Sequence, residues 1–85
     1  MTRYQVIWSE SAERELAKLD RVVARRIFTK VGSLSVVPHR HLRRLVGFDA
    51  YRLRVGDFRV IVDIEELRLR VLVLKVGHRS SVYAR

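Results

Sequence analysis

Hydrophobic and polar positions follow two different periods along the chain, and the change of period divides the sequence into its elements. Residues Arg3–Trp8 alternate between apolar and polar, which predicts a first β-strand. Apolar residues then recur every three or four positions, which predicts an amphipathic helix that Ser9 caps and that ends near Leu19. The chain therefore begins with a strand followed by a helix.

A second helix follows directly, because Asp20 can cap it and Pro38 must end it by the preceding residue. Its apolar positions form one stripe, which consists of Val23, Ile27, Val31 and Leu34. The connection between the two helices is tight, so we expect them to be antiparallel neighbours.

The second half of the chain predicts strands. Residues 39–50 lack clear periodicity and are interpreted as a loop with room for one short strand. Three strands are predicted after it, Tyr51–Val55, Phe58–Ile64 and Arg68–Val76. The last has almost no polar interruption, so we expect it to be central and covered on both faces.

The order β-α-α-β-β-β predicts a single α+β domain over residues 1–85. In this fold an antiparallel sheet carries two N-terminal helices packed on one face.

The dipeptide Gly56-Asp57 predicts a two-residue hairpin with a type II′ turn, because glycine comes first. In that register Arg54 lies directly opposite Arg59, and Arg52 shares their face of the sheet. Like charges directly opposite each other are destabilising, so packing gives no reason for the pair, whereas a bound anion does. The alternative is that these arginines simply face water.

The last strand delivers His78 and Arg79 to the edge of this arginine face, and Tyr83 follows four residues later. Each also has a structural interpretation: Arg79 as a surface residue after a strand, and Tyr83 as a ring that anchors the C-terminus. His39 and His41 are interpreted as solvated loop residues.

Composition narrows the choice of partner. The 85 residues carry a net charge of +9, and only three of the 18 basic residues are lysine. Arginine presents a planar fork that matches phosphate, so we expect a polyanionic partner or an acidic protein that neutralises the patch. No apolar run is long enough to span a membrane, and the start has no signal-like apolar stretch, so we expect a cytoplasmic protein without a membrane partner.

Cysteine is absent, which excludes disulfides and thiol chemistry, and the three histidines make a poor metal set. We therefore expect no metal and no cofactor.

Taken together, these segments resemble the RelE/ParE superfamily of toxins from type II toxin–antitoxin systems, and within it the RelE branch. The resemblance covers essentially the whole chain. It is carried by a helical part, Ala12, Glu15-Leu16 and Leu19; by a central block, Leu42, Leu45, Gly47 and Tyr51–Ile61; and by a terminal block, Val76–Arg79 with Val82-Tyr83.

The resemblance implies a RelE-like fold and a ribosome-dependent mRNA endonuclease, also called an mRNA interferase. In such toxins the RNA 2′-hydroxyl attacks the adjacent phosphate in the ribosomal decoding site. The family's working positions correspond here to Arg52, Arg54, Arg59, Arg79 and Tyr83. We interpret His78 as a second candidate for the catalytic acid or base. We expect the basic stretch with Arg40, Arg43 and Arg44 to contact RNA or the ribosome.

One departure from the family concerns Arg52 and Arg54, where the founding member has lysines. Arginine effectively cannot lose its proton, so neither residue is a credible general base, although both can bind phosphate. The resemblance also implies a partner: a RelB-like, acidic, DNA-binding antitoxin that forms a hetero-oligomer with the toxin.

Two other functions stay open from the sequence. One is a ParE-like inhibitor of DNA gyrase, which shares the fold but is not a nuclease. The other is a degenerate toxin that binds RNA or the ribosome without catalysis.

Overall fold

A computed structural model describes residues 3–36, 38–45, 47 and 49–78. The helices and strands follow in the order β1 (Gln5–Trp8), α1 (Glu10–Ala17), α2 (Arg21–Gly32), β2 (Arg43–Arg44), β3 (Tyr51–Val55), β4 (Phe58–Glu65) and β5 (Arg70–His78). Two short 3-10 turns, Ser33–Ser35 and Pro38–His41, connect α2 to β2.

Both helices begin at the predicted caps. The Ser9 hydroxyl accepts a hydrogen bond from the backbone N–H of Ala12 at 3.0 Å, and the Asp20 carboxylate accepts one from Val22 at 3.1 Å. These bonds satisfy donors that the first turn of a helix would otherwise leave unpaired. The first helix ends at Ala17, two residues before the predicted boundary.

The helices and the sheet share one hydrophobic core. Ile27, Val31 and Leu34 are fully buried, so three members of the predicted stripe face the sheet. Val60 and Val62 of β4 meet them from the other side of the core. The predicted α+β architecture, with two helices on one face of a sheet, is confirmed.

The sheet has five strands in the order β1-β5-β4-β3-β2. Four of them are antiparallel neighbours, as predicted, but β1 pairs with β5 in parallel, from Gln5 opposite Arg70 to Trp8 opposite Val73. The sheet is therefore mixed. Both helices and three strands separate β1 from β5, and a long connection of this kind allows a parallel neighbour.

The hairpin between β3 and β4 has the predicted register. Val55 pairs with Phe58 and Arg54 pairs with Arg59. Gly56 has φ +58°, whereas Asp57 is not among the described residues with positive φ. Positive φ at the first turn residue alone is the type II′ geometry that a two-residue hairpin with leading glycine adopts.

The prediction that the last strand is covered on both faces is wrong. Val71 and Val73 are fully buried against the helices, but Leu72 is only half-buried and Leu74 is 41% exposed. Both helices pack on one face of the sheet, so neither covers the other face. Leu74 is also the extra residue of a β-bulge, because Val62 opposes Val73 while the preceding residue of β4 opposes Lys75.

Helix α1 covers the edge of β5 where β1 ends. The Ser9 backbone N–H donates to the Val73 carbonyl at 2.9 Å, and its hydroxyl donates to the Leu74 carbonyl at 3.2 Å. Further along, the Val76 backbone N–H donates to the Glu15 carboxylate at 2.9 Å. These bonds satisfy backbone groups that β1 is too short to reach.

The hairpin turn gives a direct test of this architecture through its glycine. Gly56→Ala should lower the free energy of unfolding by about 1–2 kcal/mol, because a side chain disfavours positive φ. The cost is conformational, since a Cβ at Gly56 would meet only the Arg26 side chain, at 3.8 Å. Urea denaturation measures the change.

Gly32→Ala is the matched control, because Gly32 has helical φ of −59° and a Cβ there would meet nothing within 4 Å. It should leave stability unchanged or raise it by up to about 1 kcal/mol. Equal effects at the two positions would contradict the assigned turn.

Candidate anion-binding cleft

Arginine side chains line a cleft on the face of the sheet that the helices leave uncovered. The cleft has a volume of about 180 Å³. Its lining consists of His41, Arg43, Arg52, Arg54 and Arg59, and no acidic residue is among them. All three arginines that the sequence predicted to share a face, on β3 and β4, are therefore brought together.

Strand pairing positions these side chains. Arg43 of β2 lies opposite Arg52 of β3, and Arg54 lies opposite Arg59 of β4. The next strand places Gly77 opposite Arg59, so no side chain from β5 fills the space beside that arginine. Backbone pairing thus fixes two like-charged pairs next to each other, with open space on one flank.

The Arg54–Arg59 pair raises the energy of the empty fold. Like charges directly opposite each other on a sheet are destabilising. Among the described residues no carboxylate forms an ion pair with Arg54 or Arg59. The Arg59 guanidinium donates instead to the Phe58 carbonyl, at 3.3 Å. An anion in the cleft would remove this repulsion and accept several charge-assisted hydrogen bonds.

A small apolar cluster borders the cleft on the same face. Ala50 and Ile61 are each 9% exposed and pack with Leu45. Ile61 lies opposite Arg52 in the hairpin, so the cluster continues the row of cross-strand pairs. The Leu45 backbone N–H donates to the Ala50 carbonyl at 3.0 Å, so the cluster joins the end of β2 to the start of β3.

The three residues predicted for RNA or ribosome contact separate in the structure. Arg43 lines the cleft. Arg44 instead binds Asp49 at 2.9 Å, with its guanidinium 5.6 Å from the centre of the Tyr51 ring. Arg40 is exposed and does not line the cleft.

Two histidines have contacts that the sequence did not predict. His41 is exposed, as a solvated loop residue would be, and it also lines the cleft. His78 lies opposite Phe58 and contacts its ring at a centroid distance of 5.6 Å, edge to face. Because Phe58 belongs to the helix-facing side of the sheet, His78 lies on the opposite face from Arg59. Arg79 and Tyr83 lie outside the described residues.

A hydrogen-bonded network tethers the Pro38–His41 turn, whose last residue lines the cleft. Glu66 accepts from the Tyr4 hydroxyl at 2.5 Å and contacts His39 Nε2 at 2.6 Å. The Tyr4 hydrogen bond, and then that of His39, lower the pKa of Glu66 below its ordinary value, while the Glu66 contact raises the pKa of Tyr4. The network joins β1 and the β4–β5 turn to the Pro38–His41 segment, which ends in His41.

The chemistry of the cleft suits an anion rather than a cation. Among the residues described, no group of three or more His, Cys, Asp or Glu side chains is placed to hold a metal ion. No helix in the described ranges is long and apolar enough to cross a membrane.

Comparison with known proteins identifies the class. The profile of a family described as the ParE toxin of type II toxin–antitoxin systems, parDE, matches residues 6–83. A RelE-like toxin protein of Escherichia coli is 34% identical over 95% of this chain and 90% of its own length. Toxin RelG of Mycobacterium tuberculosis is 34% identical over 96% of this chain and 98% of its own length.

Solved structures agree with these relatives. The RelBE2 toxin–antitoxin complex of Mycobacterium tuberculosis contains a chain with a TM-score of 0.82 and 27% identity, over 95% of this chain and 97% of that one. The archaeal RelE–RelB complex of Pyrococcus horikoshii OT3 gives 0.81 and 25%, over 95% and 100%.

The chain belongs to the ParE toxin family of type II toxin–antitoxin systems. It is a RelE-like toxin.

The like-charged pairs predict a stability that depends on anions. Inorganic phosphate should raise the melting temperature relative to chloride at equal ionic strength, by about 4 °C if binding contributes about 1 kcal/mol. Arg54→Gln should abolish most of this increase, because it removes one side of the Arg54–Arg59 pair. Differential scanning fluorimetry measures both.

The control is Arg21→Gln, which removes the same charge from an exposed position outside the cleft. It should keep the phosphate response. A wild-type protein that melts identically in phosphate and chloride would show that the cleft does not bind this anion.

Proposed function

We propose that this toxin is a ribosome-dependent mRNA interferase that acts in the cytoplasm and stops translation. The observation that carries the proposal is the arrangement of Arg52, Arg54 and Arg59 around one cleft with no acidic lining. A phosphodiester that is about to be cleaved carries negative charge, and the charge on its oxygens grows in the transition state. Fixed guanidinium groups stabilise that charge without reorganising during the reaction.

In the proposed reaction the 2′-oxygen of one nucleotide forms a bond to its own 3′-phosphorus, and the bond from phosphorus to the next 5′-oxygen breaks. The products are a 2′,3′-cyclic phosphate and a free 5′-hydroxyl. Arg52, Arg54 and Arg59 hold the phosphate oxygens, and Arg79 stabilises the departing 5′-oxygen. Two protons move: one leaves the 2′-hydroxyl, and one arrives at the 5′-oxygen.

The arginines cannot accept the first proton, because a guanidinium stays protonated. His41 is the one lining side chain of the cleft with a ring nitrogen that can accept a proton. We therefore propose His41 as the acceptor, alongside Tyr83, the position that the family resemblance supplies. His78 is a weaker choice, because it contacts Phe58 on the other face of the sheet.

We also propose a cognate antitoxin as partner. The similar toxins from Mycobacterium tuberculosis and Pyrococcus horikoshii were solved as RelBE2 and RelE–RelB complexes. By analogy this chain forms a hetero-oligomer with a RelB-like, DNA-binding protein. An acidic segment of that protein would neutralise the cleft, because the cleft offers four arginines and no carboxylate.

Inhibition of DNA gyrase is a second candidate. It is favoured by the family profile that matches residues 6–83, which is named for ParE rather than for RelE. Gyrase inhibition needs no phosphate-holding cleft, so the two functions separate when the arginines are changed.

The decisive experiment is a cell-free translation reaction with purified toxin, followed by primer extension on the message. Wild-type protein should produce discrete cuts in translated codons, and Arg54→Ala should reduce the cleavage rate at least about 100-fold, as loss of one transition-state contact commonly does. Arg21→Gln should cut at the wild-type rate.

Each other outcome has its own meaning. An intact message with translation running, together with inhibited gyrase supercoiling, would support the second candidate. An intact message with stalled translation would identify a toxin that binds the ribosome without catalysis.

The role of His41 is tested by the pH dependence of cleavage. His41→Gln should lower the single-turnover rate about 100-fold at neutral pH and flatten the acidic limb of the pH–rate profile, because the proton acceptor is lost. His39→Gln is the matched control, since His39 binds Glu66 away from the cleft. A wild-type pH profile in His41→Gln, with a reduced profile in Tyr83→Phe, would assign the proton to Tyr83 instead.

A further inference from the structure

A larger groove lies beside the arginine cleft, between α2 and the β3–β4 hairpin. It is open and has a volume of about 730 Å³. Helix α2 contributes one wall, with Arg25, Arg26, Thr29, Lys30 and Ser33 at its end; the other wall consists of His41, Arg54, Val55 and Gly56. None of the lining residues is acidic.

The groove and the cleft are continuous. His41 and Arg54 line both of them, so these two side chains form the boundary. An anion held by Arg54 in the cleft therefore lies at the end of the groove. A polymer of phosphates bound in the cleft can continue along α2 without leaving basic surface.

The groove wall on α2 is entirely uncompensated within the helix. From Arg21 to Gly32 the helix contains four basic residues and no acidic residue. Within the described ranges no carboxylate forms an ion pair with Arg25, Arg26 or Lys30. The buried apolar residues of the helix account for its packing on the sheet, but packing does not require the basic residues on its exposed side.

The positions of the cations extend the row along the helix. Arg25 and Lys30 are five residues apart, on the order of 7.5 Å along the axis. Arg26 lies over the hairpin turn, because its Nη2 atom is 3.8 Å from the place that a Cβ of Gly56 would occupy. Thr29 adds a hydroxyl group on the same wall, whereas the Ser33 hydroxyl donates to the Lys30 carbonyl at 2.6 Å. Such a row of cations with a hydroxyl beside it matches a sugar–phosphate backbone.

A protein segment is a poorer match for this groove. Protein interfaces depend on apolar or aromatic anchors that fill pockets. The one apolar side chain in the groove lining is Val55, which is only 9% exposed. The exposed apolar residues of α2, Val22 and Phe28, lie outside the groove.

We propose that the α2 groove binds the phosphodiester backbone of RNA that adjoins the strand held in the arginine cleft. The inference rests on the proposed function for the identity of the polymer. That backbone is the message beside the cleaved codon, because His41 and Arg54 make the groove continuous with the cleft. The groove supplies affinity and orientation, whereas the cleft supplies the chemistry.

The test is a pair of double variants with equal charge changes. Arg25→Gln/Lys30→Gln removes two groove cations, and Arg21→Gln/Arg68→Gln removes two exposed arginines that do not line the groove. Circular dichroism melts verify that both fold. Binding to programmed ribosomes is measured by co-sedimentation over a range of potassium chloride concentrations, and cleavage is measured by single-turnover kinetics.

The groove variant should bind ribosomes about tenfold more weakly and should lower the salt slope of log K by about 1.4, or about 0.7 for each lost contact to single-stranded RNA. Its cleavage rate at saturating ribosomes should stay within about twofold of wild type. The control variant should change neither quantity by more than about twofold. Equal binding by the two variants would overturn the proposal.

Messages of two lengths distinguish the sources of RNA. If the groove holds the flanking message, truncating the message at the decoded codon removes the difference between wild type and groove variant. A difference that persists would assign the groove to ribosomal RNA, against the proposal. A groove variant with normal ribosome binding but weakened binding to the purified antitoxin would instead assign the groove to that protein, against the proposal.

The outcomes also separate this inference from the proposed function. Wild-type protein that binds ribosomes but leaves the message intact contradicts the nuclease and not the groove. Wild-type protein that cuts normally, with a groove variant equal to the control, contradicts the groove and not the nuclease.

Discussion

The two-residue turn between β3 and β4 fixes the register that places the three arginines of this hairpin on one face of the sheet. Gly56 adopts positive φ, and the turn sets Arg54 opposite Arg59. A slip of one residue would move the apolar set of the hairpin away from the helices and bury the arginines in its place. One strand register therefore places the apolar side chains in the core and the arginines in the cleft. A change of register would disrupt both.

The arginines that would bind an anion also destabilise the domain when no anion is bound. The core that opposes the repulsion of the cleft is small: its fully buried side chains are mostly valines, with Ile27, Leu34 and Leu53 the largest. A domain of this size has little stability in reserve. A polyanion or an acidic partner that enters the cleft thus acts on the whole fold, because it removes the strain that the empty site imposes.

Local patterns in the sequence were enough to predict the helix caps, the hairpin register and the shared face of the β3 and β4 arginines. They could not reveal the parallel partner of β1, because strand neighbours distant in sequence leave no periodic signal. The apolar run of β5 predicted burial on both faces, but the helices cover only one. His41 was missed for a similar reason: it lies in the aperiodic stretch of residues 39–50, and only tertiary structure brings that stretch beside Arg54.

The edges of the sheet bear on self-association. The unpaired N–H and C=O groups of an edge strand can pair with a strand of another copy and extend the sheet. Here the backbone N–H of Tyr4, the residue before β1, donates to the Ser35 carbonyl at 2.6 Å. Beyond the end of β1, the edge of β5 is covered by α1. At the opposite edge β2 has only two residues, Arg43 and Arg44. Joining two copies through β2 would bring four guanidinium groups together, so crowding of the toxin does not favour polymerisation through this edge.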